Sequence, residues 1–313
     1  MESKGWTDVV LVPMGVSHMR LKNKKWIGYA IYIVLFTWLV LYYRFPTESF
    51  GNYLRARVKE ASPDLVLSYQ KLVLSFPVGL GLRHVNVLLR QSGEAPVFTA
   101  DRFSISPKIG SLFGKTPEFR FRGYSYGGVI KGLLQLKDMD MSGPFAAMLD
   151  LKGIHIGSHA WLSKVIHHEI SGILSGRLRY RNNKGDWIEG TGDSDLNISA
   201  GEIGLQQPMF GLRAIKFDRI SVAAALEKRR ILLKEVVFTG PALKGHLEGE
   251  IFLRQNPNSS ALNLKGTLEP LGGVLAGLKD DSGVLKMLRQ GLKGLKRTFV
   301  VRGTIALPVF RFT

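Results

Sequence analysis

Residues 240–253 read GPALKGHLEGEIFL. A glycine is followed by an apolar residue, then another small residue, then an apolar one again. That period of two puts alternate side chains on opposite faces of a strand. The same pattern returns at 123–136, GYSYGGVIKGLLQL, and at 172–180, GILSGRLRY. Weaker copies are LKGTL at 264–268 and VRGTI at 301–305. Glycine inside a strand marks a bulge, a tight bend or a close backbone approach. Repeated at similar depth in successive strands, it predicts a strongly curled, trough-like sheet. Leu134, Leu136, Leu247, Ile251 and Leu264 are the candidate groove-lining residues of its inner wall.

Working outward, alternation dominates from Asp64 onward. Leu65, Leu67 and Tyr69 share one phase, as do Leu72, Leu74 and Phe76, then Val85, Val87 and Leu89. Phe103 and Ile105, then Phe119 and Phe121, continue it. Turn signals separate the runs at Pro77-Val78-Gly79, Gln91-Ser92-Gly93, Ser106-Pro107 and Thr116-Pro117. In the second half, Asn182-Asn183-Lys184-Gly185 predicts a hairpin, Ala200-Gly201 a turn and Glu227–Arg230 another. Short links between about a dozen candidate strands predict a mainly β, mostly antiparallel domain over 47–313. The 35 glycines agree, since each one inside a helix costs about 1 kcal/mol against alanine.

Ahead of this domain, residues 26–43 read WIGYAIYIVLFTWLVLYY, without a charge. A helix needs roughly 20 apolar residues to cross a bilayer. Arg20, Lys22, Lys24 and Lys25 precede the run, and Arg44 and Pro46 follow it. Trp26 and Tyr29 at one end, and Trp38, Tyr42 and Tyr43 at the other, suit the two interfacial belts. The basic flank predicts the segment 1–25 on the cytoplasmic side, a single membrane anchor at 26–43, and 47–313 on the far side. The exit LYYRFPTESF offers no small-x-small cleavage site, which favours a retained anchor over a signal peptide. Residues 47–60 predict a short amphipathic helix capped by Thr47, either at the membrane surface or as a lid on the sheet.

The net charge is +18, of which the stretch after residue 45 carries +14. Such a field favours anionic partners, including membrane lipid head groups. The anchor argues against nucleic acid. With no cysteine, disulfides, thiolate metal sites and cysteine nucleophiles are excluded. Two helical interruptions are expected. One is 158–170, with Trp161, Leu162, Val165 and Ile166 on a face. The other is 282–297, where Lys286, Arg289, Lys293 and Lys296 form a basic stripe. That stripe is a candidate membrane-surface or partner contact; a helix docked on the sheet with its bases in water is the alternative.

Residues 110–116, GSLFGKT, resemble a phosphate loop but have three residues between the glycines where four are needed. Pro117 follows at once, so no nucleotide site is expected. His155, His159, His167, His168 and Glu169 cluster without an HExxH arrangement, and solvated or capping histidines are expected there. Asp186, Glu189, Asp193 and Asp195 read as a solvated edge. The expectation is a protein that is not an enzyme and has no cofactor.

One N-terminal anchor, strands of the G-x-L-x-G-x-I-x-L kind, and the closing run GTIALPVFRF at 303–312 resemble the type II secretion system protein N (GspN) family. The strand style is also similar to that of the AsmA and TamB envelope proteins. The resemblance implies a bacterial inner-membrane protein with a periplasmic domain. It implies an accessory subunit of a type II protein secretion system that meets other envelope proteins of that machine. The AsmA likeness implies the alternative, a β-groove that shelters or transfers lipid.

Overall fold

The computed structural model describes residues 24–44, 46–61, 64–75, 78–89, 96–114, 116–137, 143–159, 169–182, 187–209, 212–271 and 296–313. The chain divides into two units, Met1–Pro46 and Thr47–Thr313. In the first, α1 runs Lys24–Tyr43, two residues longer at its start than the charge-free run. Its described apolar side chains are exposed, among them Trp26, Ile31, Tyr32, Ile33, Leu35 and Phe36. Lys22 lies outside the described residues, as do the side chains of Lys24, Lys25, Trp38 and Tyr43. Among the described residues no helix is long and apolar enough to cross a membrane.

The second unit opens with α2, Thr47–Ala61. It packs on the first strands, with Arg55 over the Tyr69 ring at 4.8 Å. Gly51 is buried where a Cβ would strike the Tyr69 hydroxyl. Of the two placements the sequence allows, α2 therefore takes the sheet.

The strands are β1 (Leu65–Ser68), β2 (Lys71–Ser75), β3 (Gly79–Leu89), β4 (Phe98–Pro107), β5 (Glu118–Ser125), β6 (Gly128–Leu136), β7 (Phe145–His155) and β8 (Ile173–Asn182). There follow β9 (Thr191–Met209), β10 (Leu212–Glu227), β11 (Arg230–Thr239), β12 (Leu243–Phe252), β13 (Ala261–Pro270), β14 (Arg297–Thr304) and β15 (Pro308–Phe312). All fifteen form one sheet in sequence order, except that β1 and β2 both pair with β3. Every pairing is antiparallel, as short links demand.

The sheet is not strongly curled, which corrects the expected trough. Several of the glycines have a more local use. A Cβ on Gly132 would enter the Phe121 ring, and one on Gly266 the Phe299 ring. Each lies directly opposite its aromatic partner across the strand pair, so the missing side chain is filled by a ring and the strand need not bend.

Other expectations are also corrected. Ala200-Gly201 is no turn but the middle of the 19-residue β9. Ser106-Pro107 closes β4 at the expected break before β5. Over 158–170, a 3₁₀ turn at Ile156–Ser158 and an isolated Ile170↔Ile203 bridge stand at the two ends. Trp161, Leu162, Val165 and Ile166 lie outside the described residues. So do Lys286, Arg289 and Lys293 of the basic stripe, and Asn183, Lys184 and Gly185 of the expected hairpin. Arg297 opens β14, and Lys296 is exposed just before it. At Glu227–Arg230 the expected turn is present. Lys228 (φ 48°) and Arg229 (φ 64°) are both left-handed, the pattern of a type I′ hairpin.

One structural unit occurs twice. In β3, His84 has φ 50°; in β9, Ala200 has φ 50°. Each stands where the register passes an Asp-Arg pair, Asp101-Arg102 in β4 and Asp218-Arg219 in β10. The register is unchanged across each of them, yet apolar residues on its two sides keep to one face although they sit three apart. Leu82 pairs with Phe103 and Val85 with Ala100. Ile198 pairs with Ile220 and Gly201 with Phe217. The Phe217 ring lies 5.9 Å from Phe238, whose partner is Ile220, so the face is the same. The correspondence continues outward: Arg102↔Tyr124 matches Arg219↔Thr239, and Tyr124↔Val129 matches Thr239↔Lys244. Thus β3–β6 and β9–β12 are two copies of one unit. The aligned runs ADRFSI (100–105) and FDRISV (217–222) carry it in sequence.

Candidate functional site

Direct partners in an antiparallel sheet point to one face, so the register assigns faces from end to end. One face carries Leu72 and Leu82 in β2 and β3, and Phe121 and Leu134 in β5 and β6. It continues through Leu178, Val222, Leu247 and Leu264 to Val301 and Phe310. The one charged residue that register places on it is Arg297, at the start of β14. Fourteen strands lie along the path. At ~4.8 Å spacing they make a strip roughly 60 Å across. The main contacts between elements follow strand order, apart from those of α2 with β1 and β2.

All five candidate groove residues fall on this face. Leu134 pairs with Phe119 and Ala147, and Leu136 with Phe145. Leu247 pairs with Gly266, Ile251 with Leu262, and Leu264 with Val301. Leu136 is 4 % exposed and Leu264 8 %, while Leu134, Leu247 and Ile251 are half-buried. Leu264, Phe299 and Val301 form a core cluster with Leu233, Leu247 and Ile251 packed on it. Alternation in sequence identified these residues singly. Their alignment across strands needed the register.

The opposite face is polar. An open depression of about 490 Å³ lies on it, lined among others by Leu133, Met148, Arg179, Asp193, Ala225 and Lys234. Arg179 and Asp193 bridge at 3.0 Å, so that pair neutralises itself.

The two edges differ. α2 packs against β1 and β2. At the other end every residue of β15 is exposed, with Phe310 at 64 % and Phe312 at 65 %, and Leu307 beside them at 77 %. A strand edge of this kind presents unpaired backbone groups beside apolar side chains.

The remaining sequence candidates are local structure. The His155 ring nitrogen Nδ1 lies 3.1 Å from the Tyr126 carbonyl, and the His159 ring stacks on Tyr126 at 4.7 Å. His167 and His168 lie outside the described residues. The phosphate-loop look-alike holds the four-residue α3 (Ile109–Leu112). Beside it Lys108 donates to Glu118 at 2.8 Å, and Gln135 donates to the same carboxylate at 3.0 Å. Lys108 and then Gln135 hold the Glu118 carboxyl below its ordinary pKa.

No protein-family model, curated protein or solved structure matches the chain.

Proposed function

We propose that the chain is a single-pass membrane protein whose β-domain shelters the acyl chains of lipid against its apolar face, in the manner expected of an AsmA-like envelope protein. The observation that carries this reading is the extent of that face. Aliphatic and aromatic side chains run from β1 to β15 with one charge at the rim. Contiguous apolar surface beyond a few hundred Å² marks an interaction site, and Leu134, Leu247 and Ile251 on this face are only half-buried. The anchor is α1. Its described apolar side chains are exposed, as suits a helix solvated by lipid, and its basic flank favours a cytoplasmic N-terminus. Carbonate extraction tests the anchor: release of the chain into the supernatant would sink it.

Photo-crosslinking in the membrane tests the lipid role. A benzophenone side chain at Leu134, on the apolar face, is expected to capture lipid. The same group at Leu232, on the polar face of β11, is not. Equal capture at both positions would remove the reading. With the probe kept at Leu134, Leu149→Arg on the neighbouring strand of the same face is expected to abolish capture while the domain stays folded, because a half-buried position lets the guanidinium reach water.

A second reading rests on the open β15 edge. An accessory role in type II secretion requires contact with other envelope proteins, and strand addition at a free edge supplies one. Cysteines at Val309 and Arg311 are expected to crosslink to a secretion subunit in cells. Adducts confined to lipid would count against this role.

A further inference from the structure

We propose that the polar face of β2–β6 is a docking surface for the phosphate-bearing head groups of an anionic bilayer. Lys71 lies directly opposite Arg83, and Arg83 directly opposite Arg102. One row along, Arg122 lies directly opposite Lys131. All five are exposed. Among the described residues, none of their side chains has an ion-pair or hydrogen-bond partner. The nearest acids are Asp101, adjacent to Arg102 in sequence, and Asp150, opposite Lys131. Neither forms an ion pair among the described residues.

Like charges directly opposite one another destabilise a strand pair. Elsewhere the same face avoids this: Asp150 pairs in register with Arg177 and Arg177 with Asp195, while Arg179 bridges Asp193. The internal repeat shows that the backbone does not require the cations. Its second copy has Ser199 where the first has Arg83, Val237 for Arg122 and His246 for Lys131, and keeps only Arg219 for Arg102. A local conflict that the fold can do without marks a functional surface. Five exposed cations spread over four strands of one sheet face suit a flat, multivalent anion. Guanidinium groups in particular match phosphate oxygens two at a time. The assignment to a bilayer rests on α1 being the anchor, because α2 and β2–β6 follow it directly in the chain.

The test uses the full chain, purified in neutral detergent and reconstituted into phosphatidylcholine vesicles with or without phosphatidylglycerol. An amine-reactive acetyl label reads Lys71 and Lys131, with Lys265 of β13 as the internal reference. Both lysines are expected to react several-fold more slowly with phosphatidylglycerol present, and high salt should restore their rate. The variant Arg83→Gln/Arg102→Gln/Arg122→Gln is expected to lose the protection, with affinity weakened about fivefold for each cation removed. Its melting temperature should not fall, since repulsion is relieved. Equal labelling in both vesicles overturns the proposal. So does protection by inorganic phosphate or polyglutamate with none by phosphatidylglycerol. A chain that stays out of the vesicles sinks the anchor reading instead. The same labelling comparison, with vesicles added from outside, still decides the surface.

Discussion

The two copies of the repeated unit, β3–β6 and β9–β12, share a backbone device and little else. Both place a left-handed residue opposite an Asp-Arg pair and so change the phase of alternation without exposing the apolar face. Around that device the first copy puts a ring against a glycine, Phe121 on Gly132. The second puts two aliphatic side chains at the same place, Val236 on Leu247. The first copy joins its middle strands by a link containing α3; the second uses the two-residue turn Lys228-Arg229. The first also stacks cations of one sign where the second is nearly neutral. Shared geometry with different side chains separates what the sheet requires from what a copy adds.

The largest expected effect is at the ring–glycine pair. Gly132→Leu should destabilise the domain by about 3 kcal/mol, because the added side chain meets the Phe121 ring. Adding Phe121→Val should recover most of that loss by recreating the pair of the second copy. Urea unfolding of both variants checks this, and a double variant no better than the single one would break the equivalence. Next in size are the left-handed positions. His84→Gly and Ala200→Gly should each stabilise by about 1 kcal/mol, as a Cβ is strained at this φ. Gains of equal size in the two copies would sharpen the comparison; opposite signs would end it.

Smaller still is the charge difference. Arg83→Gln should stabilise by about 0.5 kcal/mol at low salt, and the transplant Ser199→Arg should destabilise by a similar amount. Both effects should shrink as salt is added. The smallest effect sits in the link of the first copy. Because the folded pKa of Glu118 is depressed, its contribution is present above the ordinary value of 4.5 and is lost as pH falls through the lower folded value. Glu118→Gln should therefore flatten the acid limb of the stability profile slightly. A profile identical to the parent's would show that the Lys108 and Gln135 contacts do not form in solution.

Much of this is legible in the sequence. The apolar run at 26–43 and the amphipathic run at 47–60 are long enough to carry their own period, and each forms a helix where expected. Leu134, Leu136, Leu247, Ile251 and Leu264 were each legible as apolar members of an alternation, because alternation is local, and the register puts them on one face. Ala200-Gly201 misled, since two small residues look like a turn whether the chain reverses or merely slips phase. The glycines misled in the same way. Whether a missing side chain bends a strand or seats a ring depends on the partner opposite, as with Phe121 over Gly132.

By itself, then, the amino-acid order determined the β character, the antiparallel succession of strands, the helices of the N-terminal region and the absence of thiol chemistry. These follow from periods and compositions within a few residues of each position. Only the tertiary structure decided which residues stand opposite one another. From that came the unbroken apolar face, the repeated unit, the open β15 edge and the row Lys71–Arg83–Arg102. Register couples positions tens of residues apart, and at His84 and Ala200 the partners stay in step while the alternation of faces changes phase.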